Sequence, residues 1–146
     1  MKYLRLIPLF FLTSCALQSI TTEYETVKIE KENVLSELGN GKIMIYSGAD
    51  WKHRIDNTAK INVWIDGKAL GQLRPRQYAI VKMEKGEHKI SLLHIDVVNM
   101  RSDHLFEIDE NTKIIKIKPT ITSNKAELTN ELPEKWEVYE HMIYKK

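Results

Sequence analysis

Lys60-Ile61-Asn62-Val63-Trp64-Ile65-Asp66-Gly67-Lys68-Ala69-Leu70-Gly71-Gln72-Leu73 is the stretch on which the fold turns. From Lys60 to Asp66 the apolar residues Ile61, Val63 and Ile65 recur at every second position, the period of a strand with one face buried. The opposite face shows Asn62, Trp64 and Asp66, so Trp64 is the residue that alternation does not explain. Asp66-Gly67 then separates this run from a second one, Ala69 to Leu73. A type I′ turn needs positive φ at both central positions, and Asp-Gly tolerates it, so the two runs are expected to form a β-hairpin.

Working outward, the same grammar continues in both directions. Lys42 to Ser47, Gln77 to Met83, Glu87 to Ile95, His104 to Ile108 and Lys113 to Lys118 are short β-rich runs, with Lys85-Gly86 and Asp109-Glu110-Asn111 marking tight connections. Between Glu87 and Ile95 both faces are partly apolar, with His88, Ile90, Leu92 and His94 on one side and Ser91, Leu93 and Ile95 on the other, so this strand belongs in the middle of a sheet. The spacing is that of an all-β, small antiparallel sandwich filling residues 41–146 as one domain. After Pro119 the pattern weakens, and Trp136 to Tyr144 fits a strand and a helix about equally. Val34, Leu35 and Leu38 ahead of Gly39-Asn40-Gly41 are spaced for one short helical turn ended by glycine.

The N-terminus has a different character. Lys2 and Arg5 precede an apolar run from Leu6 to Leu12, interrupted only by Pro8, and no acid occurs before Glu23. The run is too short for a membrane span, which takes about 20 residues. It has the build of a secretory leader. Leu12-Thr13-Ser14-Cys15 ends it, and this resembles the lipobox of bacterial lipoproteins. The resemblance implies that residues 1–14 are a signal peptide, and that Cys15, the sole cysteine, carries a diacylglycerol and an N-acyl chain. Two or more chains anchor stably where a single one is marginal, at about 0.8 kcal/mol per buried methylene. Ala16 stands where an acidic residue would favour the inner membrane, so by analogy the periplasmic face of the outer membrane is expected. Residues 15–40, beyond the lipidated cysteine rich in Thr, Glu and Lys, are expected to form a flexible tether.

Loss of the leader changes the charge. The chain holds 22 Lys+Arg and 20 Asp+Glu, and removing Lys2 and Arg5 leaves 20 of each. A neutral domain lacks the basic excess of nucleic-acid binders and of polybasic membrane-surface segments. With its one thiol acylated it cannot form a disulfide, and its stability must come from packing.

Val63-Trp64-Ile65-Asp66-Gly67-Lys68-Ala69-Leu70-Gly71-Gln72-Leu73, with Tyr78 in a β run and then Lys85-Gly86-Glu87-His88-Lys89-Ile90, resembles the DUF2846 group of bacterial lipoproteins. It is similar, more distantly, to PEGA-type β-sandwich modules. The resemblance covers Gly41 to Ile95 and implies a small sandwich in the cell envelope; the group's own function is unknown. Asp66, Gly67, Gly71, Gly86 and His88 carry it. All five have structural uses: the glycines for turns and close approach, and His88 as a donor to loop carbonyls beside Gly86.

Sequence signals for chemistry are sparse. Ser47, Ser91, Ser102 and Ser123 lie in no nucleophile-elbow pattern, and Gly39-Asn40-Gly41-Lys42 lacks the length of a phosphate loop. No catalytic residue and no cofactor are assigned. His94 and His104 flank the segment Asp96 to Asp103 and are weak candidates for a metal site, their spacing being looser than metal motifs use. Trp51, Trp64, Arg74 and Arg76 place aromatics beside cationic donors, the composition from which protein interfaces draw most of their energy and on which sugars stack. Trp51 could equally cap the sandwich end, and Trp64 pack under the C-terminal segment. The expectation is a non-catalytic module that binds an envelope protein or cell-wall glycan. The alternative is an envelope enzyme with a site of loop His and acidic residues.

Overall fold

The computed structural model describes residues 17–49, 59–95 and 98–142. Among the described residues nine strands form two sheets packed face to face. The strands are β1 (Lys42–Ser47), β2 (Ile61–Ile65), β3 (Lys68–Leu73), β4 (Gln77–Lys82), β5 (Gly86–Ile95), β6 (Asn99–Ile108), β7 (Ile114–Pro119), β8 (Asn124–Leu128) and β9 (Glu140–His141). One sheet has the order β8-β7-β1-β4-β9 and the other β3-β2-β5-β6.

The expected hairpin is the seed of the second sheet. Asp66 and Gly67 have φ of 50° and 82°, the positive pair a type I′ turn demands. Ile61, Val63 and Ile65 are fully buried between the sheets. They meet Ile90 and Leu92 of β5, Ile43 and Ile45 of β1, and Ile115 and Ile117 of β7. Strand β5 lies between β2 and β6; Ile90 and Leu92 on one face enter the core, and Leu93 on the other is half-buried. The register of β2 and β3 slips between Val63 and Trp64, opposite Gly71. Gly71 has φ of 125°, a backbone conformation that residues with a side chain rarely adopt, and the Met142 methyl packs against it, 2.7 Å from where a Cβ would stand.

The four-stranded sheet is antiparallel throughout, whereas the five-stranded sheet is mixed: β1 runs parallel to β7 and β4 parallel to β9. Strands that are neighbours in space but distant in sequence escape the hairpin rule, and β1 reaches β7 only after the chain has built the other sheet. Strand β6 is longer than its apolar run: Asn99-Met100-Arg101-Ser102-Asp103 is polar, yet it pairs with β5 as far as Ile95 opposite Asn99. Strand β8, equally polar, has no counterpart in the sequence-based expectation and lies at a sheet edge.

The terminal segments differ most from expectation. Residues 17–40 do not stand off as a tether. The Leu17 and Gln18 carbonyls accept hydrogen bonds from Gln72 Nε2 and Asn62 Nδ2 at 3.3 and 2.8 Å. The Glu23 amide donates to the Ala69 carbonyl at 2.7 Å and the Val27 amide to the Ile80 carbonyl at 2.8 Å. A 3-10 turn (Lys31–Asn33) and the short helix α1 (Val34–Glu37) then lay Val34 and Leu38 on the outer face of the five-stranded sheet, against Met44, Tyr46, Ile80 and Ile114. From the other terminus a 3-10 turn (Trp136–Val138) brings Trp136 and Tyr139 onto the same face before β9 pairs with β4. The C-terminal segment is therefore a 3-10 turn followed by a two-residue strand.

Candidate functional site

The strand registers give the sandwich two ends. One carries the turns β2–β3, β4–β5 and β6–β7; the other carries the turns β3–β4, β5–β6 and β7–β8 and the chain entering at Leu17. The open outer face of the four-stranded sheet joins them.

At the first end Asp66 and His88 tie two turns together. His88 Nδ1 lies 2.6 Å from Asp66 Oδ2, and Nε2 lies 2.8 Å from the Glu84 carbonyl. Both ring nitrogens face acceptors, so the protonated ring satisfies both and a neutral ring only one. Burial pulls the His88 pKa down, but the hydrogen bonds to Asp66 and to the Glu84 carbonyl outweigh it and hold it above the ordinary histidine value. Burial raises Asp66 in turn, and the Lys89 amide and His88 bring it below its ordinary value. Asp66 also exchanges backbone and side-chain hydrogen bonds with Lys89. Its carboxylate is spent on the turn. Gly86 opens β5 beside this network.

Next to it is a depression of about 380 Å³ lined by Gly41, Met83, Glu84, Lys85, Asp109 and Glu110 among others. Asp109 accepts from the Thr112 hydroxyl and from the Asn111 and Thr112 amides, which hold its carboxyl below the usual range. Lys85 and Glu110 pair at 2.9 Å. Of the ionisable groups here, Asp109 is thus engaged in a turn and Lys85 and Glu110 in an exposed ion pair.

His94 and His104 are not brought together. In the β5–β6 register His94 lies opposite Met100 and His104 opposite Ile90, four residues or about 13 Å along the ladder. His94 is buried with Nδ1 at 2.7 Å from Asn124 Oδ1, and Asn124 Nδ2 donates to the Met100 carbonyl at 2.8 Å. This network crosses between the sheets. His104 Nε2 instead meets the Ser102 hydroxyl at 2.9 Å. Among the described residues no three His, Cys, Asp or Glu side chains gather as a metal site would require. Asp96 lies outside the described residues.

Of the aromatic and cationic candidates, Trp51 and the lipobox with Cys15 lie outside the described residues. Trp64 is half-buried on the open face of the four-stranded sheet. Arg74 and Arg76 stand beyond the end of β3, at least three residues or about 10 Å up the strand from Trp64. The cation over Trp64 is a different one: the Arg101 guanidinium, 5.6 Å from the ring centroid. Around this pair lie Leu93, Ser91, Lys89 and Asp103, with Leu105 64 % exposed. The Ser91 hydroxyl and Lys89 hold the Asp103 carboxyl below the usual range. Arg101 escapes sequence reasoning because only the order β2-β5-β6 brings it to Trp64, across a strand from which neither comes. Alternation in β6 was the available signal, and its polar half concealed it.

The arrangement is a shallow surface of mixed aromatic, aliphatic and charged side chains. Comparison with known proteins is silent: no family model, no curated protein and no solved structure matches the chain.

Proposed function

We propose that this chain is a lipid-anchored protein of the bacterial cell envelope, acylated at Cys15, whose sandwich is a non-catalytic binding module for an envelope protein or cell-wall glycan. The observation that carries it is the leader ending in Leu12-Thr13-Ser14-Cys15, directly ahead of a chain that is hydrogen-bonded to the domain from Leu17. Lipobox and domain are contiguous, so cleavage before Cys15 would cost the sandwich none of its described contacts. The open face supplies the binding surface. Trp64 and Arg101 form an aromatic-cation pair, and Leu93 and Leu105 add apolar area, the composition of an interface anchor. Ala16 after the cysteine favours the periplasmic face of the outer membrane.

Cys15→Ser tests the anchor. The variant is expected to keep its leader, to gain no lipid mass and to leave the tightly held membrane fraction, with the far-ultraviolet spectrum of the domain unchanged. Normal maturation and retention of the variant would refute the proposal. The binding face is tested by crosslinking the lipidated protein in membranes beside a Trp64→Ala, Arg101→Ala variant: loss of crosslinked species is expected, and identical species would remove the face from the proposal.

A further inference from the structure

Among the described residues the two sheets end in the edge strands β8, β9, β3 and β6. The first three are short or covered. Strand β9 has two residues and β8 five. Along β3 the N-terminal segment takes the edge: the Glu23 amide donates to the Ala69 carbonyl at 2.7 Å, and the Ala69 amide donates to Glu23 Oε2 at 2.6 Å. Strand β6 is ten residues long and pairs with β5 without a bulge, from Ile108 opposite Gly86 to Asn99 opposite Ile95. Among the described residues no backbone other than that of β5 pairs with it, and the one side chain that reaches its backbone is Asn124, whose Nδ2 donates to the Met100 carbonyl at 2.8 Å. Lys, Pro and bulges are the usual means of blunting an edge, and Asn99–Ile108 contains none of them. A long regular edge offers its N–H and C=O groups to a further strand.

The outer face of β6 also carries charges that a single copy leaves unanswered. Glu107 stands in register with Glu87, both exposed, and like charges directly opposite each other destabilise a sheet. Among the described residues no base lies within ion-pair distance of either carboxylate. Arg101, exposed in the other half of the strand, likewise has no carboxylate within that distance and lies over Trp64. A guanidinium over a ring keeps its in-plane N–H donors for a carboxylate.

Two copies of β6 set antiparallel about a two-fold axis must have that axis pass through a residue, because only then do opposing residues share a face and both turn their N–H and C=O groups outward. Through His104, the axis sets Arg101 opposite Glu107 at two places and Asp103 opposite Leu105. Met100 to Ile108 then pair with their copies through about eight to ten backbone hydrogen bonds. Through Asp103 it would set that carboxylate against its own copy, and through Leu105 it would set Asp103 against Glu107. Through Ser102 the ladder shortens to Asn99–Leu105. The register centred on His104 is thus as long as any and opposes no two carboxylates. From the unblunted edge and this charge match we infer that a second copy of the chain pairs with β6, joining the two four-stranded sheets across the axis. The homodimer is additional to the envelope partner proposed above and does not rest on the anchor. It sets two Trp64–Arg101 pairs on one continuous outer face.

The test compares the full protein, extracted in mild detergent, with Arg101→Glu, Glu107→Arg and the double variant by sedimentation over a concentration series. The unaltered chain is expected to sediment as two copies. Each single reversal sets like charges opposite each other at two places and is expected to weaken the dimer about tenfold. The double reversal restores the pairing in the opposite sense and should recover most of that loss. Within one chain Glu107→Arg replaces the Glu87–Glu107 opposition with an attractive pair, so a dimer lost in this variant is not lost to unfolding. A single-copy mass, with the edge free or held by a different protein, would overturn the inference. So would a dimer indifferent to the single reversals, or one that the double reversal fails to recover.

Discussion

The outer faces of the two sheets contrast. On the five-stranded sheet Met44, Tyr46, Tyr78 and Ile80 face outward and are buried, because residues 27–38 and 132–139 form a third layer over them. Tyr78 packs on Trp136 at 4.7 Å and Tyr46 meets Tyr139 edge-on at 5.7 Å. The four-stranded sheet instead turns Trp64, Lys89, Arg101, Asp103 and Leu105 to its outer face, where the described chain lays Leu17 and Gln18 over Gln72 and Asn62 but builds no third layer. Terminal segments that look polar along the sequence are spent closing one face, and the other carries the surface proposed above for a partner.

This contrast can be broken from the covered side first. Leu38→Ala removes a nearly buried side chain of the third layer, and a loss of about 2–4 kcal/mol in denaturant unfolding is expected. A change near zero would return this segment to the status of a tether. Between the sheets, Asn124→Ala leaves His94 Nδ1 and the Met100 carbonyl without their partner, and about 1–3 kcal/mol should be lost.

A pH dependence sharpens the comparison at the turn end. His88 has a raised pKa in the fold, so its contribution is fully present below the unfolded value of about 6.5 and is lost as pH rises through the folded value. Asp66 is lowered, so its contribution is present above its unfolded value of about 3.9 and is lost as pH falls through the folded one. The pair therefore stabilises most between about pH 4 and 6.5. His88→Gln should flatten the decline in thermal midpoint on the alkaline side of that window; an unaltered slope would deny the pair this role. The smallest effect belongs to the open face. Leu105→Ser should change stability by no more than about 0.5 kcal/mol, and a larger loss would mean that the face is covered in solution.

Legibility along the sequence followed locality. Strand β1 and the Asp66-Gly67 hairpin could be read residue by residue, since alternation and turn chemistry are properties of adjacent positions. Strands β6 and β8 were half-read or unread, because an edge strand needs few apolar residues and is held by its neighbour's backbone. The candidate surface fared similarly. Alternation marks Trp64 as an aromatic on a polar face, but the cation over its ring is Arg101, two strands across, and not the Arg74 or Arg76 grouped with it along the sequence.

The amino-acid sequence by itself determined the two-sheet class, the hairpin at its centre and the inward set Ile61, Val63 and Ile65, because period-two burial and positive-φ turns are local demands. Only the tertiary structure decided which face is covered and that the N-terminal segment is part of the body. Those are sums over segments distant along the chain, and net charge or composition, which count residues without placing them, carry no trace of them.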